Sequence, residues 1–134
     1  MSKVIKLKKG LDIKLKGEAE NLVKSIEKCD FYAVKPTDFR LLTPKLAVKA
    51  GDQVKAGDVL FINKYRPEVK FTSPVSGTVE AVNRGERRKL LEVVVKADAQ
   101  IQYKDFGAAD VNKLSREEII EKLLDSGVWP MIKQ

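Results

Sequence analysis

At 134 residues and 43% hydrophobic composition, the chain can bury one modest core and start a second. There is no histidine and a single cysteine, Cys29. That removes the commonest metal ligand and the side chain best suited to proton transfer near neutral pH, excludes an internal disulfide and suits a reducing compartment. Cys29 itself is expected to be a semi-buried structural thiol. No apolar run approaches the ~20 residues of a membrane-spanning helix. The N-terminus alternates lysine with aliphatics and has no apolar h-region, so it is not expected to be a secretory signal.

The net charge of +7 is unevenly placed. Residues 1–16 carry Lys3, Lys6, Lys8, Lys9, Lys14 and Lys16 against Asp12, and residues 84–89 carry Arg84, Arg87, Arg88 and Lys89 against Glu86. Such patches meet nucleic acid, an anionic membrane surface or an acidic protein face.

In chain order, residues 4–7 and 11–15 read as two strand pieces hinged at Lys9-Gly10. Leu11, Ile13 and Leu15 share one face and Asp12 and Lys14 the other. A lysine-rich edge strand is also a common guard against aggregation. Residues 18–30 have helical spacing at Ala19, Leu22, Val23, Ile26 and Cys29, but the segment is short and predicts a loop with one or two helical turns. Residues 31–34 read as strand, stopped by Lys35-Pro36, with a further break at Thr43-Pro44.

The next stretch, 48–79, organises the chain. Val48-Lys49-Ala50-Gly51-Asp52-Gln53-Val54-Lys55-Ala56-Gly57-Asp58-Val59-Leu60 contains two Gly-Asp turns six residues apart, each followed by an apolar residue, Val54 or Leu60, that can point inward. Glycine reaches positive φ without a steric penalty, and the neighbouring aspartate can bond nearby backbone. Residues 59–62 predict a buried strand and 68–72 a return strand. Ser73-Pro74-Val75-Ser76-Gly77-Thr78-Val79 makes another corner and restarts strand alternation. Residues 84–89 form a polar hairpin loop, and 90–95 the last strong strand. Residues 98–113 are loop-like, with a turn at Phe106-Gly107. A helix follows at about 115–126, with Ser115 as N-cap, Glu118 completing a capping box, Leu114 and Ile119 as a hydrophobic staple, and Gly127 at the C-terminal cap. Ile119, Ile120, Leu123 and Leu124 form its apolar stripe. This single helix is expected to have little within the chain to pack on.

Catalytic templates fail. No His–Ser or His–Cys pair is possible, no Cys/His metal cluster exists, and no Gly-rich loop joins a strand to a helix. Asp52 and Asp58 read as turn aspartates rather than paired acid–base groups. Nucleic-acid modules interleave aromatics with their basic face, whereas Phe31, Phe39, Phe61, Phe71 and Trp129 occupy mostly core-like places, so no nucleic-acid partner is expected.

The two halves of the 48–79 motif, in order and at this separation, resemble the lipoyl/biotinyl barrel-sandwich hybrid. The expected fold class is therefore mainly β, a barrel-sandwich hybrid over residues 1–97. Residues 98–134 add a linker and the capped helix, read as the start of a following domain not present in the chain. Carrier members of this fold attach lipoate or biotin to a lysine at a hairpin tip inside Asp-Lys-Ala or Met-Lys-Met. Here the tip is expected at Arg66-Pro67, which has no primary amine. Lys64 is nearest, but Asn63 and Tyr65 beside it match neither motif. The scaffold is present and the attachment site is not.

Residues 5–13, 66–77, 83–88 and 124–129, together with Leu60-Phe61, resemble in this order the N-terminal region of the A-type subunits of Na+-translocating NADH:quinone oxidoreductases. The related Rnf-type protein carries iron–sulfur cysteines absent here. The resemblance implies a peripheral component on the cytoplasmic face of a bacterial inner-membrane complex that passes electrons from NADH to quinone and exports Na+. NAD, FMN, FAD, riboflavin, iron–sulfur centres and quinone are then cofactors or substrates of the complex, with none expected on this region and no residue singled out for cofactor binding. The expected role is non-catalytic scaffolding and docking onto sister subunits or an anionic membrane surface through Lys6, Lys8, Arg66, Arg84, Arg87 and Arg88. The alternatives are a stand-alone binding module that carries neither lipoate nor biotin, and a component of an Rnf-type electron-transport complex.

Overall fold

The structure, a computed structural model, describes residues 27–132, residues 20–25, and Lys6, Gly10, Lys16 and Gly17. The strand pieces predicted at 4–7 and 11–15 lie outside the described residues apart from Lys6, as does Lys8. Within 18–30, none of the described residues is helical, and Leu22 and Val23 are exposed. One or two turns alone do not repay helix nucleation without packing to support them.

The two Gly-Asp turns set the fold. Gly51 and Gly57 adopt φ of 91° and 97°, which a side chain would strain. In each turn the aspartate carboxylate accepts the backbone N–H three residues earlier, Lys49 N to Asp52 Oδ2 at 2.9 Å and Lys55 N to Asp58 Oδ2 at 2.8 Å. Each turn also exchanges two hydrogen bonds with one residue of the later half-motif. Gly51 N donates to Val79 O and Val79 N to Asp52 O; Gly57 N donates to Ser73 O and Ser73 N to Asp58 O, all at 2.8 Å. The carboxylates are therefore turn-builders, as their spacing predicts.

These turns hold two antiparallel sheets. The strands in chain order are β1 (Phe31–Val34), β2 (Pro44–Leu46), β3 (Gln53–Val54), β4 (Val59–Asn63), β5 (Arg66–Thr72), β6 (Gly77–Arg84) and β7 (Leu90–Ala97). One sheet has the order β1-β7-β6-β3 and the other β2-β4-β5. Leu60, Phe61, Val79, Val93 and Val95 are fully buried where the sheets face one another, with Val54 and Phe71 nearly so. Alternation along β7, Val93 and Val95 in and Lys96 out, gives that strand its inner face. Phe61 and Phe71 are register partners and stack at 4.9 Å, and Phe39 meets Phe71 edge-on at 4.6 Å. Burying each such ring contributes roughly 1.5–3 kcal/mol. The fold is the mainly β barrel-sandwich arrangement with one C-terminal helix that the sequence predicts.

Two expectations change. Cys29 is exposed rather than semi-buried, because it lies before β1 and nothing among the described residues covers it. Phe31 is likewise 52% exposed and Trp129 38%, so these two aromatics are not core residues.

The helix α1 (Arg116–Asp125) begins at the predicted capping box: Ser115 N donates to Glu118 Oε2 at 2.7 Å and Glu118 N to Ser115 Oγ at 3.3 Å. The expectation that it lacks a packing surface is corrected. It lies against β5, where Lys70 pairs with Asp125, and Gly127, at φ 73°, closes onto Thr72. Lys122 Nζ donates to Phe106 O at 3.1 Å, tying the helix to the preceding loop. That loop is itself stitched to the barrel, since Ala56 N donates to Gln102 O at 2.9 Å and Lys104 N to Ala56 O at 2.8 Å. Periodicity identifies the stripe of a helix and is silent about the surface that receives it.

Candidate interaction surface

The β6–β7 hairpin brings together Arg84, Arg87 and Arg88, three of the residues singled out in the sequence. All three are exposed. Arg84 ends β6, and its Nη1 donates to the carbonyl of Arg88 at 3.0 Å, fixing one guanidinium beside the loop. Gly85 N donates to Lys89 O at 2.8 Å, and Lys89 N to Glu86 O at 3.1 Å. The two residues inside that last bond, Arg87 and Arg88, have φ of 53° and 60°. Positive φ at both central positions is a type I′ turn, the geometry that suits a two-stranded antiparallel hairpin and strongly prefers Asn-Gly. Here it is filled by two arginines, at a cost of about 1 kcal/mol or more each. The result is a projecting tip with three guanidiniums and Lys89 against one carboxylate, Glu86. Guanidinium forks match carboxylate and phosphate oxygens.

Arg66 is exposed on the other sheet, and Lys6 is exposed among the few described residues of its region; nothing described joins either to the arginine tip. The β4–β5 hairpin tip is not at Arg66-Pro67. Asn63 and Arg66 are register partners, so the tip is Lys64-Tyr65, and Arg66 and Pro67 open β5. Asn63 fixes this turn, its side-chain carbonyl accepting Tyr65 N–H at 3.1 Å, while Lys64 N donates to Thr43 O at 2.8 Å. Lys64 thus stands at the hairpin tip, with Nζ 5.9 Å from the Tyr65 ring centre, and Asn63 and Tyr65 beside it still match neither carrier motif.

Sequence reasoning missed Leu41. It is 99% exposed with φ of 60°, a conformation leucine rarely adopts. The signal available was a pair of adjacent leucines, Leu41 and Leu42, in a loop between Pro36 and Pro44. Among the described residues there is no group of His, Cys, Asp and Glu able to hold a metal ion, and no helix long and apolar enough to cross a membrane.

The scaffold is that of the lipoyl/biotinyl-type barrel-sandwich hybrids. Residues 5–98 match the family model described as the NqrA N-terminal barrel-sandwich hybrid domain, and the chain belongs to that family. It is 39% identical over 132 residues to the A-type subunit of the Na(+)-translocating NADH-quinone reductase of Yersinia pseudotuberculosis, 37% to that of Hahella chejuensis and 36% to that of Haemophilus influenzae. In each case the match covers 97% of this chain and 30% of the relative, so the chain spans under a third of the length of the curated relatives it matches.

Proposed function

We propose that this region is a non-catalytic docking module of the NqrA component of a Na+-translocating NADH-quinone reductase, held peripherally on the cytoplasmic face of the membrane complex. The observation that carries the reading is the arginine-filled type I′ turn. Strained backbone conformations cluster at binding and switch sites, and a strained, exposed, cationic tip is suited to an acidic face of a sister subunit. The redox groups of the complex, flavins and iron–sulfur centres, then belong to other subunits. In support, a chain with one cysteine and no histidine lacks the ligand set of an iron–sulfur cluster. Nucleic acid fits less well, because Phe61 and Phe71 are stacked inside the core rather than displayed on the basic surface.

The test is capture of the detergent-solubilised membrane subunits of the complex by the immobilised chain, at low and high salt. Capture that weakens with ionic strength and disappears when Arg84, Arg87 and Arg88 are changed to alanine supports the reading. Capture indifferent to salt and to the three substitutions overturns it.

A further inference from the structure

An open groove of about 840 Å³ runs between the loop that carries Leu41 and a short 3₁₀ turn after α1, Trp129–Met131. Phe39, Leu42, Val69, Phe71, Pro130 and Met131 make its apolar lining, and Asp38 and Arg40 its charged edge. Met131 in its wall is 61% exposed, and Leu41, Ile132 and Trp129, each next in sequence to a lining residue, are 99%, 55% and 38% exposed. Large apolar side chains gathered around a concave surface mark a contact site. The left-handed backbone at Leu41, which holds a leucine side chain wholly in water, adds a local cost with no return inside the described structure.

The occupant follows from the relatives. The matched domain is N-terminal by its family description, and this region makes up 30% of the Yersinia pseudotuberculosis protein. Most of that polypeptide therefore comes after the matched region. The match to that relative runs past the domain over 132 residues, so its further polypeptide continues from next to Pro130 and Met131, two residues in the wall of the groove. A segment tethered there reaches the groove at high effective concentration without a long loop to close. We propose that the groove is the seat of the polypeptide that follows this domain in full-length family members. That segment places apolar side chains between Phe39 and Met131 and a carboxylate against Arg40, so that Leu41 is an interdomain contact.

The test compares the 134-residue chain with a chimera in which it replaces the matching first part of the Yersinia pseudotuberculosis protein. Both carry Cys29→Ser and Leu41→Cys, and maleimide labelling is scaled to the rate in denaturant. Labelling of Leu41→Cys slowed about tenfold in the chimera, and fast in the chain alone, supports the seat. Equal native rates overturn it. So does concentration-dependent protection in the isolated chain that accompanies dimer sedimentation, since a second copy is then the occupant. Hydrogen exchange provides the same comparison without a chimera. The stretch of the intact Yersinia protein that matches residues 39–42 is expected to be protected relative to this chain, and equal exchange again removes the proposal.

Discussion

Gly127 lies so close over Thr72 that a β-carbon at residue 127 would sit 2.7 Å from Thr72 Oγ1 and 2.8 Å from its Cγ2. The contact joins the end of α1 to β5, and it depends on glycine twice, once for space and once for the φ of 73°. Gly127→Ala is expected to destabilise the protein by about 1–3 kcal/mol in urea denaturation. Thr72→Ala removes both of the nearest clashing atoms, so the double variant is expected to lose less than the sum of the two single changes. Strict additivity would mean that the helix end and β5 are not coupled.

Acid is expected to loosen the same helix. The Lys70 ammonium hydrogen-bonded to Asp125 holds that carboxyl below its usual range, and the backbone N–H of Ser115 does the same for Glu118 in the capping box. A carboxyl with a lower pKa in the folded than in the unfolded state stabilises the fold above the ordinary carboxylate range. Its contribution is lost as the pH falls through that range, at about pH 4 and below. Hydrogen exchange of α1 is therefore expected to accelerate on acidification before the β core responds, and Asp125→Asn to flatten part of that dependence. An unchanged acid profile in the variant would count against the Lys70 contact as its source.

The glycines of the turn motif are expected to differ in what they tolerate. A β-carbon at Gly77 would lie 1.9 Å from the carbonyl oxygen of Lys96, whereas one at Gly51 meets nothing within 4 Å. Gly51→Ala therefore carries only the strain of its positive φ, about 1 kcal/mol, while Gly77→Ala must displace β6 from β7 and costs about 3 kcal/mol or more. Thermal melts of the two variants check the order, and equal losses would contradict the close approach.

Truncating the stacked pair tests where the core sits. Phe61→Ala is expected to cost about 3–5 kcal/mol, a large share of the stability of a domain this size. Phe31→Ala, at an exposed position, is expected to change stability by no more than about 0.5 kcal/mol. Calorimetry on the two proteins separates them, and a comparable drop for Phe31 would place it inside a contact the fold does not show.

Much of this architecture is legible because it rests on local chemistry. The six-residue spacing of Gly51-Asp52 and Gly57-Asp58 is repeated by the bonding partners Ser73 and Val79, so sequence periodicity and hydrogen-bond pattern coincide. The capping box at Ser115 and Glu118 is equally local. What escaped reading is non-local or conformational. The register of β4 and β5 moves the hairpin tip from Arg66-Pro67 to Lys64-Tyr65, because a register is set by cross-strand pairs and not by counting along one strand. The docking of α1 on β5 joins Lys70 to Asp125, far apart in sequence. The arginines of the basic tip are visible as charge, while their left-handed backbone is not, since Arg-Arg is no turn signature. Leu41 is legible only as one of two adjacent loop leucines, and the pair does not tell which of them is exposed.

The docking role proposed for the arginine tip sets binding against turn stability, and one double substitution separates the two. Arg87→Asn with Arg88→Gly installs the residues a type I′ turn prefers. The variant is expected to melt at a higher temperature than the parent while losing salt-sensitive capture of the membrane subunits. A variant that captures them undiminished, or that is less stable than the parent, contradicts a docking role for the strained tip.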